Sequence, residues 1–282
     1  MSLSNPLQNH FRPDLAGWWF FTCQQQLLCV PQGSHIPFGQ MDEMPVDESV
    51  LVQAEYLCDY QGEPCYSLAF DEPIDIGLGE WVSLYSLLNE LNSDFFNLAG
   101  KAMQRQLFLK THRFCGQCGQ PMQQVDWELA MQCPSCGFRA YPRLSPSIIV
   151  GIRKGSQILL AQHNRHTQRS TPIYTVIAGF VEGGETLEQC VLREVQEEVG
   201  LKVDKLRYVG SQPWPFPHSM MVAYLADYAD GAIRIQRSEL KEANWFEIDQ
   251  LPPLAATGTI ARRLIDQLCD EIRQEYHSPR IE

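Results

Sequence analysis

The chain has 282 residues, 44% of them apolar, enough for two or three domains with buried cores. Its 22 Lys and Arg stand against 34 Asp and Glu, a formal net charge of −12 that argues against broad, sequence-independent binding to long nucleic acid or to an anionic membrane. No run approaches the roughly 18 apolar residues of a membrane helix, and the N-terminal MSLSNPLQNHFRPDLAG shows no targeting pattern, so the expected place is the cytoplasm, away from any membrane.

Residues 1–110 read as an N-terminal mixed α/β domain. The runs GWWFF (17–21), QLLCV (26–30) and CYSLAF (65–70), broken by Pro and Gly, predict strands. A helix is predicted over 84–109. Lys101, Arg105, Lys110, His112 and Arg113 form a local basic patch, although such a run is more often a solvated helix face. The block carries little recognisable chemistry and reads as a structural or dimer-forming domain.

Residues 111–141 form a separate small unit. Cys115 and Cys118 make one CxxC pair, Cys133 and Cys136 another, with fourteen residues between them. Soft thiolates at this spacing can converge tetrahedrally on zinc, and Gly119 and Gly137 follow each pair at once, as a left-handed knuckle turn requires. Two redox pairs or four idle thiols are the weaker alternative. Four protein ligands leave no open position, so one structural Zn2+ per chain is expected, and it would supply much of the folding energy of so short a unit. The other six cysteines (Cys23, Cys29, Cys58, Cys65, Cys190, Cys269) read as reduced thiols.

Residues 142–282 alternate. SIIVGI (147–152) and SQILLAQ (156–162) predict a hairpin; LRYVGS, MMVAYLADY and ANWFEI predict further strands; a last helix starts near Thr259. Between them GFVEGGETLEQCVLREVQEEVGL (179–201) reads as a glycine-rich turn entering a helix, with Thr186 and Gln189 as a capping box. At about 100° per residue, Leu187, Cys190, Val191 and Val195 make the apolar stripe, and Glu194 and Glu198 fall within about 20° of Leu187, with Glu197 beside them. A solvated charge run would sit opposite that stripe. Like charges turned inward raise one another's pKa unless a cation neutralises them, and a hard divalent ion is the cation that suits carboxylates. Phosphate chemistry follows as the expected use.

The spacing Gly179, five residues, Glu185, seven residues, then REVQEEVGL (193–201) resembles the complete Nudix box, whose family hydrolyses nucleoside diphosphates linked to a second group. The resemblance implies an α+β fold: a Nudix α/β/α sandwich preceded by a zinc ribbon and the N-terminal mixed domain. It implies that Glu194, Glu197 and Glu198, with the main-chain carbonyl of Ala178, bind Mg2+ or Mn2+, and that Glu185 and Arg193 pair to fix the loop on the helix. Gly179, Gly183, Gly184 and Gly200 would serve backbone shape.

Ten residues on, SQPWPFPHS (211–219) resembles the signature of the NADH pyrophosphatases, a Nudix branch that includes NAD-cap-removing RNA hydrolases and also carries a four-cysteine ribbon. That resemblance implies that Gln212, Pro213, Trp214, Pro215, Phe216, Pro217, His218 and Ser219 line a dinucleotide pocket. It further implies that Phe180 stacks on nicotinamide, that Tyr141 reaches the partner's pocket in a homodimer, and that Glu128 and Ala261 touch substrate. Glu239 would join the metal ligands or act as base. For Phe180 and Tyr141 ordinary packing is the bland reading; for Glu239 and Glu128 it is plain exposure. Where the branch can place an arginine ahead of its LAG segment, this chain has Ser86 or nearby polar residues.

The expected activity is metal-dependent hydrolysis of NAD(H) to nicotinamide mononucleotide and AMP, and removal of NAD caps from RNA, with Glu198, or else Glu197 or Glu239, taking the proton. The alternatives are a Nudix hydrolase of another diphosphate such as ADP-ribose, and a non-catalytic zinc-ribbon binding protein.

Overall fold

The aromatic run near the N-terminus builds the first sheet. In the computed structural model, which describes residues 12, 14–31, 35–164 and 172–277, GWWFFTC forms β1 (Gly17–Cys23). Around it lie β2 (Gln26–Cys29), β3 (Phe38–Gly39), a short helix α1 (Glu48–Leu51), β4 (Glu55–Tyr60), β5 (Glu63–Phe70) and β6 (Glu80–Ser83). The sheet order is β4-β5-β1-β2-β6, with β3 also on β1; β1 and β5 run parallel, and the other pairs are antiparallel. Trp19, Phe21, Tyr66 and Leu68 fill the core of one face. Most of the N-terminal segment read for targeting signals lies outside the described residues.

The helix predicted over 84–109 is two elements. Leu84–Asn89 is a 3-10 helix, and α2 spans Ser93–Thr111. The break has a local cause: the Asn92 side chain accepts the Phe95 N–H and starts a new helix there. After α2 come the three short strands of the ribbon, β7 (Gln123–Gln124), β8 (Met131–Gln132) and β9 (Arg139–Ala140).

The second sheet has the order β13-β14-β10-β11-β15, from β10 (Ser145–Lys154), β11 (Gln157–His163), β13 (Lys202–Trp214), β14 (Ser219–Asp230) and β15 (Leu240–Glu247); β12 (Ile177–Phe180) pairs with β10. One face carries α3 (Leu187–Val199), through Cys190, Val191, Val195 and Val199. The other carries α4 (Ile260–His277), through Leu264, Ile265, Leu268 and Ile272. Helix, sheet and helix make the expected α/β/α sandwich.

The chain divides into two compact units, residues 1–143 with 215–218, and residues 144–214 with 219–282. The tip of the SQPWPFPHS loop belongs to the first, where Pro215 lies against Gly100 and the Phe216 ring meets Tyr85 and Phe96. Among the described residues no helix is long and apolar enough to cross a membrane.

Candidate active site

The glycine-rich turn and α3 are joined by complementary local chemistry. Thr186 accepts the Gln189 N–H at 3.2 Å, Gln189 Oε1 accepts the Thr186 N–H at 2.8 Å, and Gly200 closes the helix at φ 71°. This fixes the rotation of α3. Glu198 is buried and Glu194 nearly so, whereas Glu197, at the stripe's edge, is half exposed. The glutamates on the inward stripe are therefore inward in space.

Gly179 explains how β12 accommodates one of them. A Cβ there would sit 1.9 Å from the carboxyl carbon of Glu194, so only glycine leaves room for that carboxylate over the strand. The Gly179 carbonyl in turn accepts the Ser147 hydroxyl at 2.8 Å, a contact between strands that sequence spacing does not reveal.

Arg193 organises the acids. Its Nε and Nη2 donate to the two carboxylate oxygens of Glu185 at 2.7 and 2.9 Å, the bidentate pair expected from the motif. Nη2 also donates to the Phe180 carbonyl at 2.9 Å, which ties turn to helix. Nη1 reaches both Glu194 (2.8 Å) and Glu197 (3.1 Å), a bridging role the sequence reading did not assign, although the i,i+4 spacing to Glu197 is its visible sign. These contacts hold the Glu185 carboxyl down to about 2, chiefly through Arg193, while burial pushes that of Glu194 up. Three carboxylates share one guanidinium, with Glu198 a turn beyond Glu194. That excess of inward negative charge, offered by hard oxygen donors, fits a divalent cation.

The other expected site residues are spread over several elements. Ala178 and Phe180 flank Gly179 on β12, with the Phe180 ring exposed. Glu239 is exposed on the segment before β15, and this segment is tied to the end of α3 by the Gln236 N–H on the Glu198 carbonyl, 2.9 Å. Gln212 spends its amide on α4: it donates to the Gly258 carbonyl and accepts the Ile260 N–H, at 2.9 and 2.8 Å. Ala261 is buried in the α4 core, and Ser219 is buried at the start of β14. Pro213 and Trp214 end β13, whereas Pro215, Phe216, Pro217 and His218 lie in the first unit.

Glu128 and Tyr141, thirteen positions apart, meet on the ribbon through Arg139. The guanidinium donates to Glu128 at 2.9 Å and to the Tyr141 hydroxyl at 3.4 Å, and lies 5.4 Å from the Trp127 ring centre. Three of the five residues of the basic patch have partners. Arg105 is buried on Glu55, Lys101 donates to the Leu57 carbonyl, and Lys110 pairs with Asp71. Ser86, in the place of the expected arginine, bonds back to the Ser83 carbonyl.

The cysteine quartet closes as a site. Its four sulfur atoms all lie within 4.8 Å of one another, with Cys115 to Cys136 at 3.6 Å and Cys118 to Cys133 at 3.5 Å. A tetrahedron of Zn–S bonds of about 2.3 Å has edges of about 3.8 Å, so the sulfurs stand where zinc needs them. Both knuckles repeat one pattern: the Gly119 and Gly137 N–H groups donate to the Cys115 and Cys133 carbonyls, at φ 75° and 77°. The quartet is a structural zinc site.

Comparison with known proteins agrees with this layout. The NUDIX domain model matches residues 142–268, and the NADH pyrophosphatase zinc ribbon domain model matches residues 110–141. A Haemophilus influenzae (strain PittEE) protein named NAD-capped RNA hydrolase NudC is 44% identical over 261 residues, 92% of this chain and 96% of its own. A Pectobacterium atrosepticum protein of the same name is 44% identical over 260 residues, 92% and 95% of the two chains. Among solved structures, a NUDIX hydrolase from Nitrosomonas europaea aligns with a TM-score of 0.48 at 22% identity, over 59% of this chain and 93% of that one.

Proposed function

Because the chain belongs to the Nudix family, in the branch with the NADH pyrophosphatase zinc ribbon, we propose that it hydrolyses the pyrophosphate of NAD(H) to nicotinamide mononucleotide and AMP and removes NAD caps from RNA. The observation that carries this is the carboxylate set of α3: Glu194 and Glu197 on Arg193, over a glycine that makes room for a carboxylate, with Glu198 buried one turn on. The 44% identical relatives, named NAD-capped RNA hydrolase, support the substrate.

Glu194, Glu197 and Glu198, with Glu239 and the Ala178 carbonyl, would hold the catalytic magnesium or manganese. When bound, such ions neutralise a diphosphate and lower the pKa of the attacking water. Glu198, the most buried carboxylate of the set, takes that water's proton; Glu197 and Glu239 are the other groups able to. Arg193 keeps Glu185 and the Phe180 carbonyl fixed, and Glu194 and Glu197 would exchange Arg193 for the cation when it is bound. Phe180, exposed beside Gly179, offers its face to the nicotinamide ring. Gln212, Pro213, Trp214 and Ser219 shape the rest of the dinucleotide site, with Ala261 against it. Glu128 and Tyr141, joined on the ribbon, act across a homodimer in the cytoplasm. The zinc ribbon and the N-terminal block are scaffolds for this chemistry.

The test is product analysis with Mg2+ or Mn2+ and NADH. Reduced nicotinamide mononucleotide and AMP are expected, with about a 100- to 10,000-fold loss of kcat in Glu198→Gln; nicotinamide with ADP-ribose, or an unaffected variant, would refute the reading. The same preparation sized by light scattering should run at twice the chain mass.

A further inference from the structure

The layer between the first sheet and α2, apolar for most of its length, holds a few buried polar groups. Thr22 on β1 is fully buried and donates to Gln106 Oε1 on α2 at 2.5 Å. Arg105 on the same helix is buried against Glu55 of β4. Ser67 of β5, in register with Glu55 and with Phe20, is 2% exposed, and its hydroxyl has no protein hydrogen-bond partner among the described residues. A buried hydroxyl left without a partner costs about 1–3 kcal/mol, and folds do not keep many without a use.

Glu55, Ser67 and Gln106 border a cavity of about 800 Å3 within the first unit, inside the roughly 300–1,000 Å3 range of small-molecule sites. Ser67 and Gln106 stand in its wall beside the apolar side chains of Met103 and Leu107. Gln24 stands at the mouth, in the β1–β2 turn, at φ 54°, a backbone conformation seldom adopted without glycine. Of the charged lining, Glu55 is paired with Arg105, which lies outside the lining, and Asp71 with Lys110. Arg113, exposed at the mouth, is the lining charge with no acidic partner among the described residues. The Gln106 amide, the apolar Met103 and Leu107, and the exposed Arg113 together select a heterocycle carrying an anionic group.

We propose that this cavity binds a 5′-nucleotide, its base between α2 and the sheet near Ser67 and Gln106, its phosphate at Arg113. A free mononucleotide and a nucleotide within an RNA strand share this chemistry. The proposal stands apart from the hydrolytic reading of the glutamate helix and does not depend on it.

The experiment is photolabelling of the full-length, zinc-loaded protein with 8-azidoadenosine 5′-monophosphate, followed by peptide mapping. Saturable adducts are expected within residues 53–71 or 103–113. Gln106→Leu and, at an exposed position where folding is not at risk, Arg113→Glu should each weaken that labelling about tenfold, the loss of one hydrogen bond to a charged or buried group. Labelling confined to residues 144–282, or undiminished by both substitutions, overturns the proposal. Competition identifies the source: displacement by AMP alone marks a free nucleotide, displacement by a 5′-phosphorylated tetra-adenylate at lower concentration marks an RNA strand, and displacement by neither overturns the site.

Discussion

Gly179 makes the clearest demand of any single residue in this protein. An added Cβ meets the carboxyl end of Glu194, which is the far end of a flexible side chain and can swing away. Gly179→Ala should therefore fold and keep its zinc, yet lose about 100-fold or more in kcat, because a site carboxylate is displaced by an ångström or more. Circular dichroism beside NADH turnover checks this; an active Gly179→Ala enzyme would mean that the Glu194 position is irrelevant. Glu185 makes a different kind of contribution. Arg193 holds its folded-state pKa at about 2, below the ordinary value of 4.5. Depression stabilises the ionised, folded form, so the contribution is complete above that ordinary value and fades as pH falls toward 2. Glu185→Gln should accordingly melt below the wild-type protein at pH 7, with the gap narrowing at pH 3. A gap of constant size would show that the ion pair adds nothing to stability.

Among elements, what could be read from sequence was what local physics decides. The α3 cap, its inward carboxylates and both zinc knuckles follow from residues within a few positions of one another, and the structure has them as expected. The break before α2 was legible in principle, since Asn92 is a strong cap, but LYSLLNEL continues a helical apolar pattern across it. Strand β12, four residues long, gave too little periodicity to find, although it carries Ala178, Gly179 and Phe180. Gln212 on Gly258 and Ile260, and Glu128 with Tyr141 through Arg139, depend on tertiary placement that no spacing encodes. The ribbon shows how little an element of this size can do without its metal. Its core is Phe108, Cys115, Met122, Met131 and Cys133, two of them zinc ligands. Cys133→Ser should lower bound zinc from about one per chain and open residues 111–141 to protease. A protein that stays resistant there without zinc would show that the apolar contacts suffice.

At the scale of the whole molecule, charge decides how a nucleic-acid substrate is held. A net charge of −12 repels a phosphate backbone, and the basic residues of α2 that could have offset it are engaged: Arg105 with Glu55, Lys110 with Asp71, Lys101 with a carbonyl. Engaged cations release few counterions when RNA binds, so the grip on RNA is expected at its capped end. Proteins with six to ten phosphate contacts lose roughly 10³–10⁵ in affinity between 50 and 200 mM salt. Here one or two contacts are expected, so kcat/KM on NAD-capped RNA should fall by less than about tenfold over that range. The fall for free NADH, measured at the same salt and metal concentrations, should be of similar size. A slope on RNA as steep as that of a true backbone binder would require a basic surface that the pairing of these side chains does not provide.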